Sequence, residues 1–361
     1  MENVVYILGA GFSAPLGLPV MSNFISKSKD LYFEDKEKYP HFSSVFSTMR
    51  ELASMKSYYS ADLLNIEEVL SIIEMVEFVN GESLGRDFIQ YISDVVNAHT
   101  PELPTGDISR AANWYDIPFG HEGVLSEYCY FVSSLLGISL FREQVQANIH
   151  HPKASTVFRY RENEDRGCRY SILSLNYDQV IENCIEYISR GYKADSEDAI
   201  GLSDSFEDLG DLTCQLFKLH GCSRKGNIIP PTWAKGTHKN ISEIWKGGFR
   251  ALREANHIRF VGYSLPVSDS YFKYFLKAAM SEADHIKSID ALCLDYNGAV
   301  KARFDDFIDF PSYRFASMNV RDYFSLVKKN TLTSRSASAD SFVRLNGLER
   351  SHDEVFADKI S

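Results

Sequence analysis

Val4-Val5-Tyr6-Ile7-Leu8-Gly9-Ala10-Gly11-Phe12-Ser13-Ala14 decides the reading of the fold. A short apolar run rich in β-branched and aromatic residues, stopped by a pair of glycines, describes a strand buried on both faces and ending in a tight turn. Comparable runs recur at Tyr170–Leu175, Leu216–Leu219, His257–Val261, Ile289–Leu294 and Tyr313–Ala316, with helical patterns between most of them. Continuous apolar strands joined by helices belong to parallel sheets covered on both faces.

The spacing adds an interruption. Roughly 160 residues separate the first two strands, far more than a crossover needs. Within that gap Ala61–Val79 places Leu63, Ile66, Leu70, Ile73 and Val76 on one helical face. Residues 25–164 therefore read as a mainly helical insertion. Residues 1–24 and 165–325 then form the sheet domain, with Arg159–Gly167 as the charged connection back into it. Residues 326–361, rich in serine and charge, read as a polar tail that is loosely held or docks on a partner.

Composition excludes several classes. The 361 residues suit about two domains at about 150 residues each. With 38 Lys+Arg against 49 Asp+Glu the net charge is −11, which disfavours a surface built for nucleic acid or anionic lipid. The 6 cysteines form no CxxC pair, so a zinc ribbon is not indicated, and reduced thiols in a cytoplasm are the simplest reading. The start lacks the basic region of a signal peptide. Tyr128–Phe141, the longest notable uncharged stretch, is shorter than the ~18–20 residues of a membrane span and reads as a buried core helix. His150-His151 has no nearby carboxylate and there is no HExxH, so no metal site is expected.

The chemistry should lie at the strand ends. Gly9-Ala10-Gly11-Phe12-Ser13-Ala14 fits the dinucleotide fingerprint GxGxxG/A, in which positions without Cβ let backbone approach a pyrophosphate; the sheet is accordingly expected to be Rossmann-like, with about six strands. The acid that ordinary dehydrogenases carry about 20 residues later is missing, because Asp30 falls in a polar helical stretch. Ser174-Leu175-Asn176-Tyr177-Asp178 ends the second strand with an amide and a carboxylate, although Asp178 would also serve as a helix cap and Asn176 as an Asx turn. Lys218-Leu219-His220-Gly221 delivers a single histidine into a glycine turn. Gly262-Tyr263-Ser264-Leu265-Pro266, followed by Asp269, and Asp295-Tyr296-Asn297-Gly298 end two further strands, and each also reads as a plain turn.

Taken together, these segments resemble the sirtuin-like family, the silent information regulator two domains. Gly9–Ser13 with Gly17-Leu18-Pro19 is similar to the family's opening motif, and Ser174–Asp178 to its asparagine-aspartate segment. Lys218–Gly221 resembles the catalytic-histidine segment, and Gly262–Leu265 a later NAD contact. The four motifs run in order from residue 9 to 265. Val20-Met21-Ser22 after Pro19, Leu175 before Asn176 and a lone Cys222 depart from the protein-deacylating members, which carry paired zinc cysteines after the histidine. Asn176-Tyr177-Asp178, Thr232-Trp233-Ala234-Lys235, Ile244-Trp245 and Gly262–Pro266 are more similar to a bacterial anti-phage branch that destroys NAD.

The resemblance implies NAD as substrate, no zinc, and a glycohydrolase releasing nicotinamide and ADP-ribose. It places Asn176 and His220 in catalysis, and Gly9, Ala10, Gly11, Phe12, Ser13, Asp178, Gly262, Ser264 and Asp295 in binding. Asp178 would meet the carboxamide and Asp295 the adenosine ribose. A protein deacylase and a non-catalytic nucleotide-sensing or assembly subunit are the alternatives. The partners implied are a second copy of the chain, a HerA-type ATPase or an Argonaute-like protein, with nucleic-acid contact left to such a partner.

Overall fold

A computed structural model describes residues 1–53, 65–80, 85–102, 119, 124–145, 155–162, 167–192, 201–204, 213–228, 239–281, 284–335 and 347–357. Its strands, in chain order, are β1 (Glu2–Leu8), β2 (Ile138–Val145), β3 (Ser155–Glu162), β4 (Cys168–Ser174), β5 (Gly201–Ser203), β6 (Thr213–Lys218), β7 (His257–Val261), β8 (Ser288–Leu292), β9 (Tyr313–Ala316) and β10 (Leu332–Arg335). Seven of them build one parallel sheet in the order β5-β6-β4-β1-β7-β8-β9. The fold is α/β and Rossmann-like, as the apolar runs predict. The extra strand is β5, whose three half-buried residues Gly201-Leu202-Ser203 carry no apolar run.

Alternation along β1 feeds two cores. Val4, Tyr6 and Leu8 face one side with the helices Val124–Leu135, Val180–Tyr192 and Val320–Thr331. Val5 and Ile7 face the other, under Leu252, Phe272, Leu276 and Phe304 from three later helices. The chain fills one side of β1 with β4, β5 and β6 and then the other with β7, β8 and β9. Its connections therefore diverge at the carboxyl end of β1, the crevice where open α/β sheets bind ligands.

Residues 25–164 are more mixed than expected. Four helices lie almost wholly within 24–99, including Ile66–Asn80 where Ala61–Val79 was expected, and Leu63 lies outside the described residues. The Tyr128–Phe141 stretch is not one helix. It divides at Gly137 (φ 72°) into the helix Val124–Leu135 and β2. β2 pairs antiparallel with β3, so Arg159–Glu162 belong to a strand rather than to a loop, while residues 163–166 lie outside the described residues.

The C-terminal segment departs most. Leu326 falls inside the helix Val320–Thr331, β10 pairs in parallel with β2, and the helix Gly347–Phe356 buries Leu348, His352 and Phe356. This last helix docks by charge. Arg259 of β7 holds Glu349 with two hydrogen bonds of 2.7 and 2.6 Å, and the Tyr170 hydroxyl donates to the same carboxylate at 2.9 Å. His352 Nε2 meets Asp290 at 2.9 Å, and Arg314 donates to that aspartate at 2.6 and 2.9 Å. A polar composition signals a solvated tail only when its charges lack partners, and Glu349 has Arg259 and Tyr170.

Candidate active site

The carboxyl ends of β4, β1, β6 and β7 open into a cavity of about 690 Å³, within the usual range of small-molecule sites. Gly9, Ala10, Gly11, Ser13, Asn176, Asp178, His220, Gly262 and Ser264 all line it, so motifs up to 255 residues apart in sequence share one wall. Phe12 and Asp295 do not. The Phe12 ring turns into the core, 5.2 Å from Tyr128 and 5.6 Å from Phe324. The Asp295 carboxylate accepts from the Lys301 backbone N–H at 2.9 Å, at the start of the helix Ala299–Phe307, and that bonding holds it below the ordinary carboxylate range. Its neighbours Leu294 and Tyr296 reach the cavity instead.

The glycine turn has a packing reason as well as an expected binding one. A Cβ on Gly9 would lie 2.6 Å from the Tyr263 Cα, and one on Gly11 would lie 2.8 Å from the Gly262 carbonyl oxygen. Gly9 and Gly11 N–H donate to the Val261 and Gly262 carbonyls at 3.2 and 2.8 Å. Two amides expected to face a pyrophosphate are thus engaged by the turn after β7. Gly262 itself has φ 65°, and any side chain there would meet the Phe12 backbone. The Tyr128 hydroxyl donates to the Phe12 carbonyl, and burial pushes that phenol far above its ordinary range, so it stays a donor.

Asn176 is fixed from both ends. Its backbone N–H donates to Ser174 Oγ at 3.2 Å, and its amide Nδ2 donates to the Gly9 carbonyl at 2.9 Å and Ser13 Oγ at 3.3 Å. The amide nitrogen is committed, which leaves Oδ1 as the acceptor end of a buried side chain. His220 is 1% exposed, with its ring centroid 6.0 Å from that of Tyr177. Gly221 at φ 81° turns the chain directly after it, and the Trp245 indole donates to the Leu219 carbonyl at 3.0 Å. That bond gives Ile244-Trp245 a structural place; Thr232–Lys235 lies outside the described residues.

Asp178 lines the cavity and also caps its helix, since Oδ1 accepts from the Val180 N–H at 3.0 Å. Its carbonyl takes the Lys218 ammonium, which pairs with Glu182 at 2.9 Å. Among the described lining residues there is no lysine or arginine. Sequence reading passed over Tyr128, whose partner is remote in sequence, and assigned no role to Tyr263 or Asp269.

The insertion completes the wall. Asn65, Ile66 and Val96 line the cavity, and Asn97 accepts a 2.7 Å hydrogen bond from Ser223, three residues beyond His220. Among the described residues no group of three or more histidine, cysteine or acidic side chains is placed to hold a metal ion, and no helix is long and apolar enough to cross a membrane.

Residues 170–308 match the family model described as a SIR2-like domain, a class that uses NAD as substrate. The match spans β4 to the helix Ala299–Phe307 and so contains Asn176 and His220; β1 and its glycine turn precede it, yet β1 sits between β4 and β7. A search of curated proteins gave no match.

Proposed function

From a chain that carries a SIR2-like domain, we propose an NAD glycohydrolase: water attacks C1′ of the nicotinamide ribose, nicotinamide leaves as a neutral pyridine, and ADP-ribose and a proton are the other products. The observation that carries this reading is the pairing of Asn176 and His220 on a cavity part-walled by the insertion. A departing neutral pyridine needs no strong general acid. The site must hold the dinucleotide, meet the positive charge that develops on the ribose and place the water. Asn176 Oδ1 orients the water or a ribose hydroxyl, and His220 accepts the proton. The wall formed by Asn65, Ile66 and Val96 favours hydrolysis over deacylation, which needs an open cleft for an acylated peptide.

An unregulated NAD hydrolase would poison its host, so the reading includes a gate. The insertion touches both sides of the cavity, through Asn97 to Ser223 and through Asn65 to Ser268 at 3.3 Å. Its displacement by a second copy or by a partner such as a HerA-type ATPase would move the His220 turn. A cytoplasmic effector that depletes NAD in anti-phage defence is the biological form of this proposal.

The test is chromatography of products after incubating the full chain with NAD, alone and with acetylated peptide. Free ADP-ribose without peptide is expected, and acetyl-ADP-ribose formed only with peptide would replace hydrolysis by deacylation. His220→Ala should lower kcat by about 10²–10⁴-fold, the range of a positioned proton acceptor. Parental turnover in that variant would remove the assignment.

A further inference from the structure

Asp269 is the N-cap residue of the helix Ser270–Met280, a position where aspartate ordinarily caps by accepting a backbone N–H. It does not cap here: its side chain makes no hydrogen bond to the helix. Oδ2 instead accepts from the Tyr263 hydroxyl at 2.7 Å, and Oδ1, wholly buried, has no hydrogen-bond partner among the described residues. The residue is 2% exposed and lines the cavity. A buried carboxylate oxygen left unpaired is costly and calls for an explanation, and on the wall of a cavity a bound ligand supplies one. Asp178 makes the contrast, because its carboxylate does cap its helix.

We propose that Asp269 is a substrate-contact residue, oriented by Tyr263, whose Oδ1 accepts a hydrogen bond from an uncharged donor of the bound dinucleotide, a ribose hydroxyl or the carboxamide NH₂. This rests on the NAD-hydrolase reading. A carboxylate in a wall without a lysine or arginine among its described residues repels phosphate, so the part of the substrate beside it is neutral. An added phosphate on that part, as in NADP if the donor is the 2′-hydroxyl, would bind poorly.

The test is Asp269→Asn in the full chain. Asparagine keeps an oxygen for Tyr263 but sets an NH₂ where Oδ1 stood, so donor faces donor. A hydrogen bond to a charged group is worth about 1.5–3 kcal/mol, so KM for NAD should rise by about 10–100-fold. The melting temperature should hold or rise, because the buried carboxylate oxygen left without a partner has gone. A structural role would give the opposite pattern: a lower melting temperature with KM unchanged. Inhibition by ADP-ribose and by nicotinamide, measured separately, locates the donor: weakened ADP-ribose binding marks a hydroxyl and weakened nicotinamide binding the carboxamide. Should Asp269→Asn not fold, Tyr263→Phe should still raise KM several-fold, and wild-type KM there would overturn the proposal. Wild-type KM and kcat in Asp269→Asn overturn it too, while a parental chain that neither binds nor cleaves NAD overturns the hydrolase reading itself.

Discussion

Glu349→Ala should destabilise the whole sheet domain, although residue 349 stands in a segment whose composition suggests a solvated tail. The variant removes two hydrogen bonds from Arg259, at 2.7 and 2.6 Å, and one from Tyr170 at 2.9 Å. Arg259 is 3% exposed and among the described residues retains only the Tyr6 hydroxyl, at 2.9 Å. A guanidinium stays protonated in proteins, so Arg259 cannot escape the loss by deprotonating. Breaking a buried pair from one side costs about 3–5 kcal/mol, mostly as the penalty of an uncompensated charge. The double variant Arg259→Met with Glu349→Ala leaves no such charge and should recover part of the loss. Urea unfolding followed by circular dichroism measures both changes. A single variant within about 1 kcal/mol of wild type, or a double variant whose loss is the sum of the two singles, would refute the reasoning.

Two further outcomes follow from the same geometry. Gly262→Ala forces a side chain into a left-handed conformation, worth about 1–2 kcal/mol, and against the Phe12 backbone. NAD turnover should fall more steeply than stability, because the displaced turn carries Ser13 and the Gly9 carbonyl that fix Asn176; equal effects on both would contradict this. His352 is held down to about 4 by burial and by Arg259, against a partial opposing pull from Asp290. Its folded pKa lies below its unfolded value of about 6.5, so it favours folding above that pH and the benefit is lost as pH falls toward 4. Unfolding titrations between pH 7 and 4 should show stability falling over that window, with a shallower slope in His352→Gln.

The fold was legible where burial on both faces leaves a mark in the sequence. The runs His257–Val261 and Tyr313–Ala316 coincide with β7 and β9, because each ends at a turn. β5 was not, since three half-buried residues have no period to read. β10 was not legible because its pairing partner on β2 lies 192 residues away in sequence and leaves no local pattern, while β2 was hidden inside the uncharged stretch that also holds a helix. At the site, the residues that carry the resemblance converge because each ends a strand of one sheet. Asp295 lies off the cavity for a physical reason: a strand-end acid beside a helix start can satisfy backbone N–H groups as readily as a ribose. Asp178 does this while still lining the cavity, and Asp269, in the same kind of position, does not.

The glycine fingerprint changes meaning once the β7 turn is in view. Gly9 and Gly11 are required by the close approach of Gly262 and Tyr263, and Asn176, just beyond β4, donates to the Gly9 carbonyl from the other side. The same contact therefore aligns three strand ends before any ligand arrives. It also uses two of the turn's amides on protein, in a cavity whose described wall has no lysine or arginine. Negative charge on the substrate is then poorly compensated inside the described wall, and binding must draw on neutral contacts made in fixed geometry. Preorganisation of this kind favours a bond that breaks to release a neutral group over one that must be held by strong ion pairing. The proposed glycosidic cleavage of a pyridinium meets that condition, because the positive charge that would develop on the ribose faces a described wall whose acidic side chains are Asp178 and Asp269, with no lysine or arginine.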